Sequence, residues 1–218
     1  MAGTSSPVGP TKRRRVLLDA SVLYIEPVRS LLLWIAALGG FDPRWTTRIL
    51  DEVRRNLLAS ERMSSEQWQR LGAAMLAAFP DATLDQDAAD AIQDQMTNDP
   101  KDRHVLAAAV AHGVELLVTN NLKHFKRTDI EPVGVRALNA DQLLCELLSA
   151  APNVMREALE SQAATMRTPR QWTVAELLGA LAGRGRGDAL APSFAEAASE
   201  RLGIGSVAPP SRVDPNAG

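Results

Sequence analysis

Four short stretches carry more acidic and amide side chains than an α/β domain needs for its own architecture. They are Val16-Leu17-Leu18-Asp19, Ile49-Leu50-Asp51-Glu52, Asn98-Asp99-Pro100-Lys101-Asp102 and Leu116-Leu117-Val118-Thr119-Asn120-Asn121. The first and last end short apolar, β-prone runs, the pattern of buried parallel strands. The other two fall on predicted helices. A carboxylate just beyond the carboxyl end of a parallel strand emerges where open α/β sheets collect their ligands. Joined there by two acids carried in on helices, it makes an oxygen-rich pocket suited to a hard divalent cation such as Mg²⁺.

Side-chain direction sorts the candidates. Asp19 follows Val16, Leu17 and Leu18 and leaves the sheet centre at its carboxyl edge, where a site role competes with capping the next helix. Further on, Ile49, Val53 and Leu57 mark a buried stripe that puts Glu52 on its flank and turns Asp51 away. Asn56, one turn later, shares the edge of Glu52 and could orient it. Asp99-Pro100 reads as an N-cap followed by proline at the first helical position, so Asp99 ranks second as a site residue. Asp102 then falls in the first turn, on the face of Val105, Leu106 and Ala109, where a buried anion needs a partner that a metal would supply. Asn120 and Asn121 end the second strand, and turn chemistry accounts for one asparagine more easily than two. His104 and His124 lack His-x-x-x-His spacing and a third donor to complete a zinc set, which puts them at the surface or rim. Trp34, Trp45, Trp68 and Trp172 fall one per predicted helical segment as packing anchors. Cys145 lies in an amphipathic helical run as a core or boundary residue.

Positioning these residues requires a first strand ending near Leu18, then a helical stretch from about Ser21 to Leu38, restarted at Pro27 and stopped by Gly39-Gly40. Helices follow at about Thr46 to Leu58 and Ser65 to Ala78, with Ser64/Ser65 suited to open the latter. Further helices run near Asp87 to Met96 and from about Lys101 to His112, where Gly113 ends the turn. Strands at Glu115 to Val118 and about Pro132 to Val135, then a helix from Asn139 to Leu148, complete an order that favours a parallel sheet flanked by helices. After Ala150-Ala151-Pro152, helices at Asn153 to Met166, Thr173 to Ala182 and Ser193 to Leu202 form a small all-helical C-terminal appendage. The expected division is a flexible leader over 1–12, an α/β domain over 13–148, a helical C-terminal domain over 149–205 and a disordered tail over 206–218.

At 218 residues, 45% hydrophobic and 23% charged, the chain can bury one substantial core. A formal net charge of −2 argues against a strongly basic nucleic-acid binder while allowing a local basic patch. The single cysteine excludes a disulfide framework and a Cys-built zinc site. No run reaches the roughly 18 apolar residues of a membrane span. The Gly/Ser/Pro-rich start does not read as a secretory signal, so a cytoplasmic protein is expected.

In order, Val16-Leu17-Leu18-Asp19-Ala20-Ser21-Val22-Leu23, Ile49-Leu50-Asp51-Glu52, Asp99-Pro100-Lys101-Asp102-Arg103-His104-Val105-Leu106 and Val118-Thr119-Asn120-Asn121-Leu122-Lys123-His124-Phe125 resemble the PIN domain of metal-dependent ribonucleases. Within that family the chain is most similar to VapC-type toxins of type II toxin–antitoxin systems, in a branch with an extra helical C-terminal region. The resemblance covers about Arg14 to Leu148. It implies a PIN-like α/β fold and a nuclease site of Asp19, Glu52, Asp102 and, at the fourth position, Asn121. Asp19, Asp102 and Glu52 would hold Mg²⁺, or Mn²⁺ in its place, and Thr119 or Ser21 would hydrogen-bond a phosphate oxygen. RNA is the implied substrate, a cognate antitoxin the implied partner, and a homodimer the implied assembly.

The fourth position is Asp in many PIN domains, and His124 stands where Asp often precedes the phenylalanine, which leaves one or two ions open. An antitoxin is expected to insert Arg or Lys against the acids, with the ridge around Leu31, Trp34 and Ile49 as a groove for its helix. The C-terminal helices could cover a dimer surface, receive the antitoxin or contact substrate through Arg184 and Arg186. Competing readings are a housekeeping PIN nuclease that processes RNA and a PIN-like module that binds RNA or protein without cleaving. Asp19-Ala20-Ser21 also resembles the nucleophile segment of haloacid-dehalogenase phosphatases, but that motif wants a second acid where Ser21 stands.

Overall fold

The computed structural model describes residues 13–167, 170–184 and 190–205; the expected leader over 1–12, the tail over 206–218 and Arg186 lie outside them. The described residues open with β1 (Arg15–Leu18), the single turn α1 (Ala20–Leu23) and α2 (Glu26–Ala37). The expected restart at Pro27 is present, because a proline in the first turn removes only an N–H that a helix start leaves unbonded. After Gly39, at φ +86°, come β2 (Asp42–Thr46), α3 (Thr47–Ala59) and α4 (Ser65–Ala78). Ser64 and Gln67 close a reciprocal capping box at the start of α4. β3 (Thr83–Leu84), α5 (Gln86–Asp90), α6 (Arg103–Ala111), β4 (Leu116–Val118), α7 (Arg127–Ile130), β5 (Arg136–Leu138) and α8 (Ala140–Ala150) complete the α/β part. α9 (Pro152–Thr165), α10 (Val174–Leu181) and α11 (Pro192–Leu202) form the helical C-terminal region.

The sheet has five parallel strands in the order β3-β2-β1-β4-β5. Two of them, β2 and β3, replace what reads from sequence as a loop and part of a helix. Pro43 is tolerated inside β2 because of where its nitrogen points. Asp42 donates to Arg14 on the β1 side and Trp45 to Ala82 on the β3 side. Alternation therefore aims the Pro43 nitrogen toward β3, which is only two residues long and pairs beyond it. Trp45, expected on a helix, is a fully buried residue of this strand. The strand expected at Pro132 to Val135 lies later. Residues Glu131–Val133 form one 3₁₀ turn, Gly134 takes φ +72°, and β5 starts at Arg136.

Because all strands run the same way, their carboxyl ends share one edge. The chain leaves central β1 toward β2 on one side, while β4 lies on the other, so the crevice between β1 and β4 is the topological switch point. Pairing continues past the strand ends: Asp19 N–H donates to Val118 O at 2.9 Å, and Thr119 N–H donates to Leu138 O at 2.9 Å. The C-terminal helices pack on the α/β part through a continuous apolar core. α9 lies on α2, where buried Gln162 donates through Nε2 to Pro27 O at 2.9 Å. α11 lies on α8, and the Asp141 carboxylate accepts from the backbone N–H groups of Ser193 and Phe194 at its N-terminus.

Candidate active site

Asp19 is the hub of the switch-point crevice. It is 3% exposed and caps α1, with Oδ1 accepting from Ala20 N–H at 2.7 Å. Oδ2 accepts from Ser21 Oγ at 2.6 Å and from Thr119 Oγ1 at 2.7 Å. Each hydroxyl has one proton, so both are committed to Asp19. Each oxygen also accepts one backbone bond, Ser21 Oγ from Asn120 N–H and Thr119 Oγ1 from Asn121 N–H, each at 3.0 Å. Asn120 Nδ2 adds a bond to Ser21 O. The expected cap and the expected site position thus coincide, and the two expected phosphate-binding hydroxyls serve as Asp19 donors. The two adjacent asparagines lock the β4 exit onto α1.

Burial pushes the Asp19 carboxyl above its ordinary range; the two hydroxyls pull the other way, and the charges of Asp102 and Glu52 push it further up. This repulsion reports that the three acids share one neighbourhood. Glu52 reaches it from α3, which springs from the end of β2 with Thr46 Oγ1 accepting from Ile49 N–H. Asp51 points away, exposed and paired with Arg54 and Arg55. The neighbour of Glu52 is His104, whose Nε2 stands 3.7 Å from Oε2. His104, reinforced by Arg55 and Arg48, holds the Glu52 carboxyl below its ordinary range against partial burial. Asn56, expected to orient Glu52, is exposed.

The third acid differs from expectation in one detail. Asp99 does not cap α6; its Oδ1 accepts from Lys101 N–H at 3.0 Å in a turn, and Asp102 takes the N-cap position without a side-chain cap bond. The Asp102 carboxylate therefore stays available at the crevice, where His124 Nδ1 donates to its Oδ2 at 2.5 Å. Donor atoms of Asp99, Asp102 and His124 lie within 4.8 Å of one another. His104 is 4% exposed and so is not the surface or rim residue that spacing suggested, whereas half-buried His124 lies beside Asp102 at the rim of the crevice. The sequence did hold a signal for His104. It lies in an α6 run that is apolar all round from Val105 to Ala109, and such a helix is covered on every side.

The PIN domain profile matches residues 15–123, half of the chain, and spans every residue of this constellation except His124. The chain belongs to the PIN-domain family. A relative in Mycobacterium tuberculosis (strain ATCC 25618 / H37Rv), VapC50, provisionally described as a ribonuclease, is 49% identical over 53 residues, 24% of this chain and 31% of that protein. No solved structure matches. In this PIN domain Asn121, the residue expected at the fourth position, is half-buried, its backbone N–H tied to Thr119 and its carbonyl accepting from His124 N–H at 2.8 Å. Among the described residues no helix is long and apolar enough to cross a membrane.

Proposed function

We propose that this chain is a metal-dependent endoribonuclease whose site is Asp19, Glu52, Asp102 and Asn121, with Asp99, Ser21 and Thr119 in support. The observation that carries this reading is the buried Asp19 carboxylate at the end of β1, with hydroxyl and amide donors but with the charges of Asp102 and Glu52, brought by two other elements, directed against it. Such a set is unfavourable alone and favourable around a divalent cation. Asp19, Asp102 and Glu52 are the residues that would hold Mg²⁺ or Mn²⁺. When bound, the ion lowers the pKa of water and neutralises charge on the phosphate oxygens.

The chain's own groups supply the rest. Ala20 N–H, Ser21 and Thr119 fix both oxygens of Asp19, so that carboxylate meets its ligand in one orientation. Glu52, less buried than Asp19, can accept a proton from an attacking water. Asn121 offers a neutral amide to a phosphate oxygen. A recessed acidic notch suits a single-stranded RNA loop better than a duplex.

The relative's VapC designation agrees with the sequence resemblance to VapC-type toxins, and on that resemblance we extend the reading to a toxin neutralised by a cognate antitoxin, working as a homodimer in the cytoplasm. Leu31 and Ile49 are fully buried, which leaves only half-buried Trp34 of the ridge expected to receive the antitoxin; the acidic notch itself remains the target for an inserted Arg. The test is incubation with total RNA in Mg²⁺, Mn²⁺ or EDTA with cleavage-site mapping, alongside growth on expression with and without the genomic neighbour. Cleavage only with metal, and growth arrest relieved by the neighbour, are expected. Metal-dependent cleavage without arrest would make it a housekeeping nuclease.

A further inference from the structure

Lysine is scarce in this chain and unevenly placed: there are four, at positions 12, 101, 123 and 126. The last three sit on the two segments that bring Asp102 and Asn121 to the crevice. Lys101 precedes Asp102 at the start of α6, Lys123 lies in the 3₁₀ turn Leu122–His124 that follows Asn121, and Lys126 is the N-cap of α7. Hydrogen bonds stitch the two segments together. Asp99 N–H donates to His124 O at 3.4 Å, His124 Nδ1 to Asp102 Oδ2 at 2.5 Å, and Thr97 Oγ1 to Asp129 Oδ1 at 2.8 Å. All three lysines are exposed, and none has an ion-pair partner among the described residues. The arginines of the same segments are engaged, Arg103 with Asn98 O and Arg127 with Glu131.

We propose that Lys101, Lys123 and Lys126 form a ledge that carries the phosphates of single-stranded RNA past the acidic notch. The inference rests on the reading of the notch as a nuclease site. A divalent ion there offsets the acids at the scissile phosphate, but the phosphates on either side of it still approach a carboxylate-rich surface and need cations of their own. Unpaired ammonium groups supply them without giving up an existing partner. Lysine is a point charge on a flexible stem, so it holds a phosphate without reading the base beside it, and the ledge positions the strand without selecting its sequence.

Anisotropy titration of a fluorescein-labelled oligouridine in EDTA tests this apart from cleavage. Each phosphate held by a lysine adds about 0.7 to the slope of log Kd against log salt, so Lys101→Gln/Lys123→Gln/Lys126→Gln should lower that slope by about 2. Raising the salt from about 50 to about 200 mM should then cost wild type roughly 20-fold more affinity than the triple variant. Lys101→Arg/Lys123→Arg/Lys126→Arg keeps the charges and should keep the slope. Arg201→Gln should leave it unchanged, since Arg201 lines a cavity with Leu148 and Ser149 at the end of α8 remote from the sheet edge. In metal-dependent cleavage the loss in the triple Gln variant should fall on KM rather than kcat. Wild-type affinity and slope in that variant, a loss per charge as large in Arg201→Gln, or no binding of oligouridine by wild type would each overturn the ledge. Lysine-dependent binding by a wild type that cleaves no RNA in Mg²⁺ or Mn²⁺ would keep the ledge and overturn the nuclease reading instead.

Discussion

Asp19 and Glu176 are both covered from solvent, at 3% and 5% exposure, yet their carboxyls shift in opposite directions. Glu176 lies in the first turn of α10 under the guanidinium of Arg170, to which it is paired, and accepts from the backbone N–H and hydroxyl of Thr173. The Arg170 pair, followed by the Thr173 amide, pulls Glu176 down to about 2. Asp19 has only neutral donors and faces two other acids, and it is pushed up. One carboxylate finds its counter-charge within the chain, as a residue that holds a fold together does. The other is given every hydrogen bond needed to fix its direction but no cation, as a residue awaiting a ligand is.

The contrast can be tested, and the largest effect should be on catalysis. Asp102→Asn should lower RNA cleavage by at least about 10²-fold, since partners that merely orient metal ligands are worth about 10- to 100-fold. Asp51→Asn, altering an exposed neighbour of Glu52 paired only with arginines, should leave cleavage unchanged in the same assay. Glu176→Gln should do the reverse, leaving cleavage near wild type while lowering the melting temperature by about 4 °C in a calorimetric scan.

The same pair predicts opposite pH dependences. The depressed pKa of Glu176 adds stability that is full above about 4.5 and lost as the pH falls toward about 2. The melting gap between wild type and Glu176→Gln should therefore close across that window. For Asp19 the raised pKa makes the charged form the costly one, so the penalty is present at neutral pH and gone once the group is protonated, below 3.8. Any gain in melting temperature from Asp19→Asn should appear at pH 7 and vanish in acid. Smaller still, Asn121→Asp should tighten Mn²⁺ binding several-fold in a calorimetric titration, because carboxylate count tunes divalent affinity. Unchanged affinity and stoichiometry would put its side chain outside the site.

Much of this was legible from residues. Three apolar residues and an Asp announced β1 and its carboxyl-edge acid, Ile49-Val53-Leu57 oriented Glu52 correctly against Asp51, and the Ser64 cap and Gly113 stop bounded their helices. β2 and β3 were not legible. Asp42-Pro43-Arg44 has neither alternation nor β-branched residues, and its pairing depends on which way one proline nitrogen faces. β3 is two residues held by its neighbour. At the site, Asp99 looked like a cap because local chemistry favours Asp-Pro there, but the turn it makes instead hands the N-cap position to Asp102. The pairings of His104 with Glu52 and of His124 with Asp102 join distant segments, and no spacing rule reports them.

The most direct test of the central claim uses one variant and two readings. Asp19→Asn should abolish metal-dependent RNA cleavage while the metal-free protein melts at the wild-type temperature or above it, because the substitution removes a charge that burial and two neighbouring acids already oppose. Undiminished cleavage, or a loss of stability like that expected for Glu176→Gln, would contradict the account and make Asp19 a structural cap.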